Sequence, residues 1–160
     1  MNLLSDTLGI NEWLAILRIG IGLWWLKSVF HKNIRNFLAG GIVTWTVGLA
    51  EAHPWTGYGK AIKSFVTRGA RWFPLASLLG ELAVGIGLTF GLFTPISALV
   101  GIFLNINYIA LAGVKLTDPD VNPGFRVEQG QNWNMIVGEL VIFATGAGAV
   151  WSIDRLLGIF

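Results

Sequence analysis

Four long apolar stretches with few charges constrain this chain more than any other feature of its sequence. Crossing the roughly 30 Å hydrocarbon core of a bilayer takes about 20 helical residues, because each residue rises 1.5 Å. The stretches lie at about 13–31, 73–93, 95–114 and 133–153. Tryptophans stand near their ends, where an indole ring prefers the headgroup layer. We therefore predict a single transmembrane domain over 1–160, an all-α integral membrane four-helix bundle.

The composition supports hydrocarbon as the solvent of this chain. Charged residues make up 12% of the sequence and apolar residues 54%, whereas a soluble domain carries roughly 25% charged residues. The chain has no cysteine, which excludes disulfides, thiolate catalysis and Cys-ligated iron–sulfur centres. Its two histidines lie at span ends or in loops. We therefore predict no metal site and no intrinsic cofactor, and no motif points to nucleic acid.

The segment 37–50 is apolar but shorter than the four spans, and it contains Gly40-Gly41. A run of about 14 apolar residues favours an interfacial or re-entrant helix over a fifth span. Most Lys and Arg residues lie in the loops that follow the first and third spans. With four spans these loops share one face, here called face B, and the positive-inside rule predicts that face B is cytoplasmic. A fifth span would reverse this sidedness.

Ionisable residues within the spans are costly in hydrocarbon and by default mark a functional site. They are Arg18 and Lys27 in the first span, Glu81 in the second and Glu139 in the fourth. The helical rise places Glu81 about 12 Å from face B, and both Lys27 and Glu139 about 9 Å from it. We therefore predict that these three groups share one layer and that Lys27 pairs with a carboxylate. Arg18 is expected alone in the half nearer the opposite face.

Helical phase turns the polar positions of the spans inward. Asn105 shares a face of the third span with Gly101, and Asn132 and Glu139, seven residues apart, share a face of the fourth. Small residues on such a face allow helices to approach, so that Asn105 can hydrogen-bond across the bundle. We predict a polar intramembrane site that opens toward face B. Its candidate ligand-binding residues are Arg18, Lys27, Glu81, Asn105, Asn132 and Glu139.

Two interpretations of these charges remain open at the level of sequence. In the first, they neutralise one another and hold the helices together without any ligand. In the second, they line a pocket for a quinone headgroup or a small anion, or form a proton relay. Lys27 would then anchor the electronegative group, and Glu81 or Glu139 would accept protons.

Six short segments, spread over most of the chain, share a pattern with a known family. They are Leu17-Arg18-Ile19 with Gly22 and Lys27, Gly80-Glu81-Leu82-Ala83-Val84-Gly85, Gly91-Leu92-Phe93-Thr94, Asn105-Ile106-Asn107-Tyr108, Gly130-Gln131-Asn132-Trp133 and the loop His53-Pro54-Trp55. Together they resemble the DoxX/DoxD family of small four-helix membrane proteins, which includes the small subunit of thiosulfate:quinone oxidoreductase. The Gly80-Glu81-Leu82 element is the most specific of them.

The resemblance implies an accessory, multi-pass subunit of a prokaryotic plasma membrane, associated with a quinone-linked oxidoreductase. Because the chain lacks the groups needed for electron transfer, a redox role would require a partner subunit or a bound quinone. Quinone or lipid is thus the expected ligand. The alternative is a structural subunit of a larger respiratory or photosynthetic complex, with no chemistry of its own. A small transporter is a weaker alternative, because no inverted repeat is evident.

Overall fold

The computed structural model describes residues 8–159, and every regular element in this part of the chain is helical. In chain order the elements are α1 Ile10–Phe30, α2 Ile34–Asn36, a π-helical segment Phe37–Gly41, α3 Ile42–Glu51, α4 Thr56–Arg68, α5 Phe73–Phe90, α6 Thr94–Ala112, α7 Phe125–Thr145 and α8 Ile153–Leu156. The prediction of an all-α chain is confirmed. Helices α1, α5 and α6 are long and apolar enough to cross a membrane, which indicates association with a lipid membrane.

The last long helix, α7, departs from its predicted boundaries of 133–153. It begins eight residues earlier, at Phe125, because the polar segment that follows includes Arg126, Glu128 and glutamines, which are good helix formers. It ends at Thr145, where Gly146 takes a left-handed conformation with φ 63°. Because the first third of α7 is polar, α7 is not among the three helices that are long and apolar enough to cross a membrane.

The segment 37–50 is helical but broken. Its first part is the π-helical turn, in which Gly40 has φ 107°, a value that glycine adopts without steric cost. Its second part, α3, has ten residues and extends about 15 Å, roughly half of a hydrocarbon core. Neither piece has the length of a fifth span.

The four long helices pack in a ring, in which α1 contacts α5, α5 contacts α6, α6 contacts α7, and α7 returns to α1. Glycines allow the closest approaches: a Cβ at Gly22 of α1 would lie 2.4 Å from the backbone nitrogen of Thr89 in α5. The centre of the ring is a cluster of buried apolar side chains, namely Ile21, Trp25, Val84, Leu88, Ala98, Ile142 and Ala147.

The outer surface of the ring is also apolar. Phe103 is 64% exposed, Ile96 62% and Trp133 60%, as is suitable for side chains that contact lipid tails. Helices α3 and α4 pack together beside this ring, and α3 contacts the later part of α6 through Leu49, Ala50 and Leu111. This lateral pair forms one wall of the cavities described below.

Candidate functional site

Arg18 of α1 is completely buried and donates hydrogen bonds to main-chain carbonyls. Nε donates to the oxygen of Ala147 at 3.0 Å, Nη1 to Leu88 at 2.7 Å and Nη2 to Trp151 at 2.7 Å. These carbonyls belong to the end of α5 and to the turn after α7, where no further helical residue supplies an N–H. The guanidinium therefore caps two chain segments that would otherwise leave acceptors unpaired.

Asp154 is also completely buried, and it accepts hydrogen bonds from main-chain N–H groups at the beginning of α6. Its two carboxylate oxygens accept from the backbone N–H groups of Phe93 and Thr94, each at 2.7 Å. The N-terminus of a helix presents unpaired donors and a partial positive charge, which a carboxylate satisfies. Arg18 and Asp154 thus form a helix-end cluster, whose partners are mostly backbone groups.

Glu81 of α5 lies toward the other end of the ring and is 3% exposed. Its Oε1 accepts a hydrogen bond from the hydroxyl of Tyr108 at 2.6 Å, and its Oε2 forms an ion pair with Nζ of Lys32. Nζ of Lys32 also donates to the hydroxyl of Ser28 at 3.2 Å. A buried carboxylate is therefore held by one cation and one phenol from two other parts of the chain.

Glu139 of α7 is completely buried and is held differently. Its Oε1 accepts from Nε1 of Trp25 at 2.8 Å and its Oε2 from Nδ2 of Asn105 at 3.0 Å. A Cβ at Gly101 would lie 2.3 Å from Oε1, so this glycine makes room for the carboxylate. Among residues 8–159, Glu139 has no ion-pair partner, and neutral groups donate both side-chain hydrogen bonds.

A cavity of about 210 Å³ lies beside these groups and is called here the polar cavity. Glu81 and Lys32 line it directly, and so do Trp25 and Asn105, the two donors to Glu139. The full lining is Trp24, Trp25, Ser28, Lys32, Ile42, Trp45, Glu81, Asn105, Tyr108, Glu128, Gln131, Asn132 and Met135. Charged, amide and aromatic side chains therefore converge on one partly open space between the ring helices and α3.

Three of the six residues predicted for the site line this cavity, namely Glu81, Asn105 and Asn132, and a fourth, Glu139, is hydrogen-bonded to the lining residues Trp25 and Asn105. Asn132 is buried, and its Nδ2 donates to the main-chain oxygen of Glu128 at 2.7 Å. The predicted inward orientation of the three helices is confirmed. The two carboxylates bind different residues of α6: Glu81 accepts from Tyr108, and Glu139 accepts from Asn105, which stands three residues earlier.

The predicted pairing of Lys27 with a carboxylate is wrong, because Lys32 forms the ion pair with Glu81. Lys27 is exposed, with Nζ 5.0 Å from the centre of the Trp24 ring. It follows Trp25 by two residues, which turns it about 200° away from that inward side chain. Ser28 follows Trp25 by three residues and returns to the same face. Lys32 lies two residues beyond the end of α1 and reaches this face with its side chain, whose Nζ donates to Ser28 and pairs with Glu81. Depth alone selected Lys27, whereas the fold of the turn after α1 brings Lys32 to the carboxylate.

Arg18 is the other predicted residue that lies elsewhere, in the helix-end cluster and outside the lining of the polar cavity. The sequence-based analysis also missed Tyr108 and Trp45. Tyr108 follows Asn105 by three residues on α6, a spacing that places both on one face. Trp45 carried no such signal, because its position depends on how α3 packs beside the ring.

Residues 8–159 contain no group of three His, Asp or Glu side chains arranged to hold a metal ion. The chain matches no known family model, no curated protein and no solved structure. The class of protein is therefore defined by its own geometry: an all-helical, membrane-associated protein with a polar cavity between a ring of helices and α3.

Proposed function

We propose that this protein is a four-span, DoxX-like accessory membrane subunit, which binds a quinone headgroup in the polar cavity for a partner oxidoreductase. The observation that carries the proposal is the Lys32–Glu81–Tyr108 group at the wall of an aromatic-lined cavity between the ring and α3. The family resemblance supports the association with quinone-linked redox enzymes and the location in a prokaryotic plasma membrane.

In this proposal α7 is the fourth span. It has 21 residues and closes the ring between α6 and α1. Its mid-helix charge, Glu139, points inward to Trp25 and Asn105 and so avoids lipid. The polar first third, which includes Glu128 and Gln131, borders the polar cavity.

The size and chemistry of the cavity suit a single planar ring with carbonyl groups. Its volume of about 210 Å³ is below the roughly 300–1,000 Å³ of pockets for drug-sized ligands. The ammonium of Lys32 can donate to a carbonyl oxygen, and the indoles of Trp24 and Trp45 offer apolar faces. Reducing a quinone to a quinol consumes two electrons and two protons. The electrons would come from the redox centre of a partner, and Glu81 would exchange protons with the ring.

One observation favours the alternative of a structural subunit. The charge of Lys32 is already paired with Glu81, and the groups of Arg18 and Asp154 are hydrogen-bonded to the main chain. Such a closed set of contacts can hold helices together without a ligand. The two functions differ in one measurable property, the saturable binding of a quinone ring.

The test is a titration of the protein in lipid nanodiscs with a tail-less benzoquinone, which quenches tryptophan fluorescence. Three tryptophans line the polar cavity, so binding there gives a saturable component of quenching. We expect Lys32→Met and Glu81→Gln each to weaken that component about tenfold, since hydrogen bonds to charged groups contribute roughly 1.5–3 kcal/mol.

The matched controls are Lys63→Met and Glu51→Gln, which remove an exposed ion pair between α4 and α3 with an Nζ–Oε1 distance of 2.6 Å. They should leave the saturable quenching unchanged. Equal quenching in all five proteins, without saturation, would contradict quinone binding and favour the structural subunit.

A further inference from the structure

An apolar groove of about 290 Å³ lies directly beside the polar cavity. It runs between the lateral pair α3–α4 and the ring helices α5 and α6, with Phe65, Phe73 and Phe103 among its lining residues. Ile42, Trp45 and Tyr108 line both spaces. The cavity and the groove therefore share a wall.

Tyr108 lies between the polar cavity and the apolar groove. Its hydroxyl donates to Glu81 in the polar cavity, whereas the residue also lines the apolar groove. Trp45, the second shared aromatic residue, is 43% exposed. The transition from polar to apolar surroundings thus takes place across single side chains.

The charges are distributed very unequally between the two spaces. Lys32, Glu81 and Glu128 line the polar cavity, whereas no charged residue lines the groove. A phospholipid headgroup would find no charged partner in the groove itself. An apolar chain would find a surface of aromatic and aliphatic side chains, and a polar group attached to it would reach the cavity.

We infer that the ligand of this site is a tailed amphiphile: its planar polar ring occupies the polar cavity, and its hydrocarbon tail lies in the groove beneath α3 and α4. The inference rests on the proposed function and deepens it by naming the ligand class, a lipid-tailed ring that enters sideways from the bilayer. The wall of Ile42, Trp45 and Tyr108 that the two spaces share and the confinement of charge to one of them support this assignment.

A second apolar groove provides a comparison, and it lies about two helical turns further along the same side of α5. This second groove of about 360 Å³ is lined by Ala83, Ile86, Phe93 and Val100, among others, and shares no lining residue with the polar cavity. Lipid tails of the bilayer can occupy this second groove without any bound ring, because its surface is also apolar. Only in the groove beneath α3 and α4 should the binding of a hydrocarbon tail depend on the binding of its ring in the polar cavity.

The experiment is photolabelling in nanodiscs with a benzoquinone whose alkyl tail carries a diazirine. The labelled positions are mapped by tandem mass spectrometry. We expect labels near Phe65, Phe73 and Phe103, and we expect an excess of the tail-less ring to remove them. Displacement by a ring that has no tail would show that the labelled tail was held in place by its own headgroup.

Two variants of α5 sharpen this test. Ala76→Phe places a bulky side chain in the groove, where it occupies the space of the tail, and should reduce labelling there about tenfold. The saturable quenching by the tail-less ring should stay as in the wild type. The control Ala83→Phe fills the second groove, seven residues away on the same helix, and should leave the labelling unchanged.

Labels scattered over the lipid-facing surface, or labels that the tail-less ring does not displace, would overturn the inference. In that case saturable quenching by the ring would remain, and the proposed function would stand. Absence of saturable ring binding would overturn both.

Discussion

The two ends of the helix ring both bury charged side chains, but the partners of those charges differ. At one end, Arg18 and Asp154 bind main-chain groups at the ends of helices. At the other, Glu81 and Glu139 bind side chains, and a cavity lies beside them. Burial of charge is common to both ends, so burial alone does not identify a functional site. The kind of partner distinguishes them.

The physical reason is that main-chain partners cannot be exchanged. The carbonyls at the end of α5 need donors in every state of the folded protein, because they have no helical partner. Side-chain donors such as Lys32 can adopt other rotamers and transfer a hydrogen bond to a ligand. The helix-end cluster should therefore determine stability, and the polar cavity should determine binding.

The largest expected effect is that of Arg18→Met. It removes the donors to main-chain carbonyls at the end of α5 and after α7, and each acceptor left buried and unpaired costs about 1–3 kcal/mol of unfolding free energy. The double variant Arg18→Met with Asp154→Asn should not recover this loss, because the main-chain carbonyls remain unpaired. Equilibrium unfolding in mixed detergent micelles measures both variants.

The exposed Arg155, next to Asp154, provides the control, and Arg155→Met should leave the stability unchanged. A stable Arg18→Met protein that no longer binds the quinone ring would contradict the assignment of Arg18 to the helix-end cluster and would return it to the ligand site.

The second effect concerns Gly101, against which the carboxylate of Glu139 packs. In Gly101→Ala the new Cβ would lie 2.3 Å from Oε1, so the carboxylate must move away from its two hydrogen-bond donors, at a cost of about 1–3 kcal/mol. The control is Gly130→Ala on α7, where a Cβ meets nothing within 4 Å. Unfolding free energies that are equal in the two variants would show that the carboxylate of Glu139 does not pack against Gly101.

The sequence predicted the inward carboxylates well, because the signal was strong. A charged residue in an apolar helix can hardly face lipid, so Glu81 and Glu139 had to point inward. Asn105 followed from the small residue four positions before it. The existence of α1, α5 and α6 followed from hydropathy alone.

The remaining features depend on tertiary structure or on an additional sequence signal. The start of α7 was misplaced, because its polar first third does not resemble a span. The helix-end role of Arg18 required the fold, since its acceptors are carbonyls of residues about 70 and 130 positions away. Helical phase could have excluded Lys27, but Lys32 required the fold, because it lies in the turn after α1.

The third effect separates binding from stability at the polar cavity. The double variant Lys32→Met with Glu81→Gln removes both charges of a pair, and such replacements are often close to neutral in stability. We expect the unfolding free energy to change by less than about 1 kcal/mol and the affinity for the tail-less quinone ring to fall at least about tenfold. A large loss of stability in this variant would make the two ends of the ring equivalent and would favour a structural role for both.

The smallest expected effect is that of Lys27→Met, and it tests which of the two lysines serves the cavity. Lys27 is exposed on α1, and its Nζ lies 5.0 Å from the centre of the Trp24 ring, a contact worth about 0.5–1 kcal/mol at an exposed site. Neither the unfolding free energy nor the affinity for the quinone ring should therefore change by more than this amount. Lys32→Met, five residues further along, is the matched comparison, because it removes the same charge from the wall of the polar cavity. If Lys27→Met weakens ring binding and Lys32→Met does not, the ligand lies on the outer face of α1, and the polar cavity is part of the structural core.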